Sequence, residues 1–110
     1  LQLEEKFLHA VTGISGSGPA YCYLFLEAMA NAGVKNGLSF ADSLQLAAQT
    51  MIGSAQMVQQ LGQHPAALKD NVCSPAGTTI DAVASLEQSG FRSSIIQAVD
   101  ICVEKSKRLS

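Results

Sequence analysis

The sequence predicts a single all-α domain, and three observations lead to this prediction. Apolar residues recur at helical spacing, no window alternates apolar and polar residues over the length of a strand, and turn residues divide the chain into about six helical segments. The length of 110 residues fits one domain of common size. With 47% hydrophobic residues the chain can form a packed core, which excludes a disordered chain. We therefore expect residues 1–110 to form one helical domain.

Glycine and proline place the first two helices. Apolar residues at helical spacing predict a first helix that ends near Val11. Residues 12–19 contain three glycines and end in a proline, so we expect a turn there, followed by a second helix. Either Gly33 or Gly37 should end that second helix by adopting a left-handed backbone conformation.

Capping residues separate the four later helices. Ser39 followed by Asp42 resembles a capping box and predicts the start of a long third helix, which Gly62 should end. The remaining signals predict a short fourth helix over residues 65–72, a turn over residues 74–79, a fifth helix ending at Gly90 and a sixth helix over residues 91–109.

The second and third predicted helices have too few charged residues for helices that face water. Residues 20–30 contain one such residue, Glu27, and residues 43–68 contain no Asp, Glu, Lys or Arg. Charged residues make up 15% of the chain, against about 25% in typical soluble domains. We therefore expect the domain to interleave with a second copy as a homodimer; the sequence leaves open whether such dimers form a higher oligomer.

Composition also argues against several kinds of partner. The formal net charge of −2, without a basic cluster, is atypical of a nucleic-acid-binding module. The most apolar segment is shorter than the roughly 20 residues that a membrane span requires. Three cysteines without CxxC spacing predict reduced thiols in a cytoplasmic protein, and neither histidine has partners at metal-ligand spacing. We expect no nucleic acid, membrane or metal ion as a partner.

Two segments rich in glycine and hydroxyl residues are candidate functional sites. In residues 12–19, Gly16-Ser17-Gly18 partly matches a dinucleotide fingerprint, but Tyr21 stands where glycine or alanine is required and a predicted helix precedes it. Residues 74–79 place hydroxyls and free backbone N–H groups at the start of the predicted fifth helix, which suits an anion. Ordinary capping by Ser or Thr explains residues 74–79 equally well at this point.

Seven short blocks, distributed over nearly the whole chain, stand in a specific order and spacing. They are TGISGSGPAY at residues 12–21, AGVKNGL at 32–38, AAQT at 47–50, HP at 64–65, LKDNV at 68–72, SPxGTTI at 74–80 and GFR at 90–92. Together these blocks resemble the C-terminal domain of pyrroline-5-carboxylate reductases. One block alone would be weak evidence, whereas the ordered set is highly specific.

The resemblance implies an oxidoreductase that reduces the cyclic imine 1-pyrroline-5-carboxylate to L-proline with NADH or NADPH, the last step of proline biosynthesis. It also implies two domains: an N-terminal Rossmann domain, which would hold most of the cofactor and does not match this chain, and an interleaved helical dimerisation domain. The chain opens on Leu-Gln-Leu without Met, so we expect a piece of a longer protein. Because the chain matches only the second domain, we expect it to be inactive alone.

By resemblance, residues 72–79 form the substrate site. The substrate-binding residues would be Val72, Ser74, Gly77, Thr78 and Thr79, with the carboxylate held by the Ser74 hydroxyl and by the backbone N–H groups of residues 77–79. The Thr79 hydroxyl, the candidate catalytic group, would reach the ring nitrogen and orient it. The family usually has two glycines after the proline, and here the first of them is Ala76. A methyl group would crowd the site if that position requires a positive φ.

By the same resemblance, the residues that contact the cofactor from this domain are Ser17, Gly18 and Pro19. Functions of two other classes remain open, namely a purely structural dimerisation module and a helical regulatory domain that binds small carboxylates. Retention of Ser74 and Thr79 around a glycine favours the enzyme over the structural module, because a decayed site need not keep them. The regulatory domain would need no Rossmann partner.

Overall fold

A computed structural model describes residues 4–109, and this part of the chain is helical without a β-strand. The all-α prediction is therefore confirmed. A 3-10 turn at Glu5–Phe7 precedes the first α-helix, and a π-helical turn at Thr12–Gly16 follows it. The α-helices are α1 (Leu8–Val11), α2 (Gly18–Lys35), α3 (Phe40–Leu61), α4 (Pro65–Val72), α5 (Thr78–Gln88) and α6 (Phe91–Leu109).

The predicted glycine turn between the first two helices is wrong. The chain stays helical through the π turn, and Ser17 alone separates that turn from α2. The Thr12 hydroxyl donates to the carbonyl of Leu8, four residues earlier, at 3.0 Å, and the Ser15 hydroxyl makes the equivalent bond at 3.1 Å. No glycine in this segment has a positive φ. These side-chain bonds keep the polar segment on a helical path.

Most of the other predicted boundaries are confirmed. At the start of α3, Ser39 Oγ accepts a hydrogen bond from the Asp42 N–H at 3.1 Å. Gly62 ends α3 with a φ of 63°, and Gly90 separates α5 from α6 with a φ of 79°. At the start of α4, the His64 side chain accepts a backbone N–H, so this histidine acts as a helix cap.

The described residues form two compact units. The first combines residues up to Tyr23 with residues from Leu86 onward, and the second is Leu24–Ser85. Each unit contains a close helix contact at which glycine leaves no room for a larger side chain.

In the first unit, the π turn packs against α6 at Gly13. A Cβ on Gly13 would lie 2.8 Å from Val103 Cγ2 and 3.2 Å from Val99 Cγ1. A hydrogen bond of 2.7 Å between His9 Nδ1 and the Ser106 hydroxyl also joins α1 to α6. Gly13 therefore allows the backbone of the π turn to approach α6 closely. The prediction of a turn at this glycine does not anticipate that role.

In the second unit, α2 and α3 pack closely at Gly33. A Cβ on Gly33 would overlap Ser43 Oγ and lie 2.6 Å from Ser43 Cβ. Ser43 is buried, and its hydroxyl donates to the Ser39 carbonyl at 2.8 Å. Gly33 is thus a packing residue inside α2, whereas Gly37, with a φ of 101°, follows the end of that helix.

Candidate functional site

Residues 73–79 connect α4 to α5 through a tight turn. Cys73 caps the end of α4, and the Gly77 N–H donates to the Ser74 carbonyl at 3.0 Å, which closes a β-turn over residues 74–77. Thr78 then begins α5. The turn places Ser74 beside the N-terminus of α5, where the first backbone N–H groups have no acceptor within the helix.

Gly77 provides the space that the Ser74 side chain occupies. A Cβ on Gly77 would overlap Ser74 Oγ and lie 3.2 Å from the Ser74 carbonyl oxygen. Gly77 does not have a positive φ, so glycine is required here for space and not for an unusual backbone conformation. The Ser74 hydroxyl consequently lies against Gly77 at the helix N-terminus.

The hydroxyls of this turn do not cap α5. Within residues 4–109 the side chains of Ser74, Thr78 and Thr79 make no hydrogen bond, whereas Ser39 and His64 accept backbone N–H groups at α3 and α4. Unpaired hydroxyls thus lie beside the positive end of a helix dipole, which favours a bound anion. The anion-binding interpretation expects hydroxyls that are not used as caps, and this is the arrangement in the described part of the chain.

The predicted substrate-site residues lie together at the adjoining ends of α4 and α5. They differ in solvent exposure and in whether their hydrogen-bond donors are free. Val72 is the last residue of α4 and is 67% exposed. The Gly77 N–H is already bonded within the turn, so the backbone donors left for a ligand begin at Thr78. The Ser74 side chain is exposed and that of Thr79 is half-buried.

Ala76 adopts a backbone conformation that favours glycine. Its φ is 57°, and it is the one non-glycine residue in the described part of the chain with a positive φ. Ala76 is the third residue of the β-turn, after Pro75, and turns with proline second and a positive φ third usually have glycine there. Left-handed backbone costs an L-residue roughly 1–2 kcal/mol. The site is therefore built on a strained turn.

We expect Ala76→Gly to stabilise the folded chain by about 0.5–1 kcal/mol. Relief of roughly 1–2 kcal/mol of left-handed strain is partly offset by the greater freedom of glycine in the unfolded chain. Denaturant unfolding at fixed protein concentration measures the change. As a matched control, Ala84→Gly in the exposed interior of α5 should cost about 1 kcal/mol. Equal destabilisation by the two substitutions would contradict the strain at Ala76.

The predicted cofactor contacts lie at the junction of the π turn and α2. The Ser17 N–H donates to the Thr12 carbonyl at 2.9 Å, and the Ser17 carbonyl accepts from the Ala20 N–H at 3.0 Å. Gly18 is buried, yet a Cβ there would meet no atom within 4 Å. Pro19 is exposed in the first turn of α2, where its missing N–H costs nothing. Packing within the chain therefore does not require glycine at position 18.

Cys102, which the sequence does not associate with this junction, contacts Ser17, and Tyr21 lies beside Cys102. Cys102, 85 residues away in the sequence, donates from its thiol to Ser17 Oγ at 3.1 Å. The Tyr21 hydroxyl oxygen is buried without a well-formed hydrogen bond, and burial, with a further contribution from the adjacent Cys102 thiol, raises the pKa of Tyr21. These three residues line an open cavity of about 660 Å³ along α6. No local sequence signal links residues so far apart.

The two predicted segments belong to different compact units, residues 17–19 to the first and residues 72–79 to the second. Among residues 4–109, no group of three or more His, Cys, Asp and Glu side chains is arranged to hold a metal ion. No helix of that part of the chain has the length and apolar character to cross a membrane.

The chain is similar to one family along its described length. The family model described as pyrroline-5-carboxylate reductase dimerisation matches residues 5–109. The chain is 53% identical over 108 residues to pyrroline-5-carboxylate reductase of Escherichia coli, covering 98% of this chain and 40% of that protein. It is 49% identical over 108 residues to human pyrroline-5-carboxylate reductase 2, covering 98% of this chain and 34% of that protein.

A solved structure supports the same similarity. The crystal structure of Plasmodium falciparum pyrroline carboxylate reductase with NADP bound matches with a TM-score of 0.94 and 45% identity, covering 98% of this chain and 44% of that one. The chain therefore spans between 34% and 44% of the length of these relatives.

Proposed function

Because the chain belongs to the pyrroline-5-carboxylate reductase dimerisation family, we propose that it is the helical C-terminal part of an oxidoreductase of proline biosynthesis. The enzyme reduces 1-pyrroline-5-carboxylate to L-proline with NADH or NADPH. The observation that carries this proposal is the set of unpaired hydroxyls at the N-terminus of α5. Hydroxyls that cap nothing are available for the carboxylate that substrate and product each carry.

The substrate carboxylate binds at the turn between α4 and α5. The Ser74 hydroxyl and the N–H groups of Thr78 and Thr79 donate to its oxygens, and such charge-assisted bonds are stronger than bonds between neutral groups. Gly77 contributes space for the Ser74 side chain, and its own N–H stays within the turn. Val72 is the last residue of α4 and precedes Ser74 by two residues in the sequence.

The Thr79 hydroxyl orients the ring nitrogen of the substrate. Reduction adds hydride to the imine carbon, and the nitrogen gains or keeps a proton. A threonine hydroxyl is too weak an acid to supply that proton near neutral pH, so Thr79 positions the nitrogen and the proton comes from water or from an imine that is already protonated. A reduced nicotinamide supplies the hydride when it is bound.

Residues 17–19 fit a contact with that cofactor. A Cβ on Gly18 would meet no atom within 4 Å, and the Ser17 hydroxyl offers a hydrogen bond. Residues 4–109 contain no strand for the parallel sheet of a dinucleotide-binding fold, so a separate domain holds most of the cofactor. The chemistry requires no metal ion.

The first test joins these 110 residues to the cofactor domain of the Escherichia coli relative, in place of its matching region. We expect the chimera to oxidise NADPH in the presence of 1-pyrroline-5-carboxylate, and we expect the 110-residue chain alone to give no turnover. Turnover by the chain alone would contradict the two-domain proposal. A chimera that binds L-proline without turnover would favour a regulatory carboxylate-binding domain instead.

The second test separates binding from capping at the turn. In the chimera, Ser74→Ala or Thr79→Ala should raise the Kd for L-proline by about tenfold to hundredfold, because a hydrogen bond to a charged group is lost. The melting temperature should change little, since neither hydroxyl caps α5. Ser39→Ala is the matched control: it removes a real cap and should cost about 1 kcal/mol of stability without affecting the Kd. The reverse pattern at Ser74 would assign that hydroxyl to capping.

We also propose that the domain works as a homodimer, because the single chain leaves its apolar side chains largely uncovered. Ala30 and Ala47 are its buried hydrophobic residues, and no large side chain in the described part is fully buried. Leu24 on α2 and Ile101 on α6 are 68% and 69% exposed. Obligate dimers commonly bury about 2,000 Å² or more.

Sedimentation at micromolar concentration should therefore find a dimer or a larger assembly of dimers. A well-folded, stable monomer under the same conditions would refute the proposal.

The cytoplasmic location stays a prediction. Cys22, Cys73 and Cys102 are all free thiols, which is consistent with a reducing compartment.

A further inference from the structure

The side chain of Ser17 is held by a partner from the opposite end of the chain. The backbone of Ser17 is fixed on both sides, by the π-type bond to Thr12 and by the bond from Ala20. Its hydroxyl does not cap a helix. The hydroxyl oxygen instead accepts a hydrogen bond from the Cys102 thiol, with 3.1 Å between Sγ and Oγ. These three bonds hold both the backbone and the side-chain oxygen of Ser17, which restricts the directions in which its hydroxyl hydrogen can point.

Packing around Gly13 makes this contact possible. Val99, Cys102, Val103 and Ser106 recur at helical spacing along the half-buried face of α6. Gly13 lies against Val99 and Val103 so closely that a Cβ would be 2.8 Å from the Val103 side chain. The close approach of the π turn to α6 brings Ser17 within reach of the thiol.

The direction of the hydrogen bond determines what Ser17 can do. A thiol is a weak donor and its sulfur a weak acceptor, and in this pair the thiol is the donor and Ser17 Oγ the acceptor. The thiol hydrogen therefore points to Ser17 Oγ, and the hydrogen of the serine hydroxyl stays available for another acceptor. The buried Tyr21 hydroxyl lies beside the sulfur and can donate to its lone pairs, so the serine hydroxyl is not needed there.

We propose that Cys102 is a positioning residue for cofactor binding. Its thiol donates to Ser17 Oγ and so orients the serine hydroxyl, which in turn donates to an acceptor oxygen of the bound nicotinamide nucleotide. The inference rests on the proposed function, in which Ser17 contacts the cofactor. It adds a residue from α6 whose role is to orient another side chain without touching the ligand itself. A serine in place of Cys102 can donate in the same way, whereas an alanine cannot.

The test measures the Kd for NADP⁺ by calorimetry in the chimera with the Escherichia coli cofactor domain. Ser17→Ala should weaken binding by about threefold to tenfold, the loss of one neutral hydrogen bond. Cys102→Ala should weaken binding by a similar factor, the double variant should be no weaker than Ser17→Ala, and Cys102→Ser should restore the affinity. Cys22→Ala, at an exposed thiol on α2, is the matched control and should leave the Kd unchanged.

Binding of L-proline provides the second measurement. Its Kd should be the same for Cys102→Ala as for the unsubstituted chimera, because the substrate residues belong to the other unit. If Cys102→Ala weakens the binding of NADP⁺ and of L-proline alike and lowers the melting temperature, the residue is merely structural and the inference is overturned. If Ser17→Ala weakens NADP⁺ binding but Cys102→Ala does not, the inference fails while the cofactor role of Ser17 stands. If Ser17→Ala itself has no effect, that part of the proposed function fails as well.

Discussion

Replacing Gly77 by alanine is expected to weaken L-proline binding to the chimera by about tenfold to hundredfold, the loss of a hydrogen bond to a charged carboxylate. The new Cβ would take the place of Ser74 Oγ, so the serine must rotate away from the helix N-terminus. Folding should change by less than about 1 kcal/mol, because the serine side chain can rotate and the Ser74 carbonyl oxygen, 3.2 Å from the new Cβ, has to shift only slightly. Calorimetry and thermal unfolding measure the two quantities.

Two variants establish how Gly77→Ala acts. Combined with Ser74→Ala, it should weaken binding little beyond either single change, because both act on one hydroxyl. Gly53→Ala, in α3, where a Cβ would meet no atom within 4 Å, should leave the Kd unchanged and stabilise the helix by about 1 kcal/mol. Full affinity in Gly77→Ala would show that the Ser74 hydroxyl does not hold the carboxylate.

Gly33→Ala is expected to destabilise the folded chain by about 1–3 kcal/mol, the usual cost of overpacking a close contact. Ser43 Oγ could rotate, but Ser43 Cβ, 2.6 Å from the added methyl group, moves only if α3 moves. Alanine is otherwise the better helix former, so the sign of the effect is opposite to that expected from helix propensity alone. Denaturant unfolding of the 110-residue chain at fixed concentration provides the measurement.

A compensating substitution tests the contact itself. Ser43→Gly removes the atoms that the new methyl group meets, so Gly33→Ala should cost less in that background than in the original chain. The measured quantity is the coupling free energy, which is the difference between the effect of the double variant and the sum of the two single effects. Each substitution alone also changes helix propensity, and this contribution cancels in the difference. Additive effects, or a stabilising Gly33→Ala, would show that the two helices do not need this close approach.

Local signals predicted the helix boundaries and the position of the substrate turn. A cap such as Ser39 bonds a backbone N–H three residues later, and Gly62 and Gly90 adopt positive φ where a helix must end. Residues 72–79 are contiguous, so the family resemblance could be carried over to them residue by residue, and their role in binding stays a prediction. Sequence patterns are informative wherever the deciding interactions lie within about four residues.

Residues 12–19 show where local signals mislead. Three glycines and a proline predict a turn, but tertiary packing uses Gly13 for contact with α6, and Thr12 and Ser15 bond back along a helical path. The backbone conformation that glycine allows and the space that it leaves are different properties. A sequence pattern does not show which of the two a particular glycine supplies.

The sequence by itself determined the all-α class and the capped helix ends, and it predicted the segment in which a carboxylate would bind. Only the tertiary structure decided that Gly13 lies against Val99 and Val103 and that Cys102 holds Ser17. The physical reason is range: caps and helical periods join near neighbours, whereas the thiol contact joins residues 85 positions apart through helix packing that no local pattern encodes.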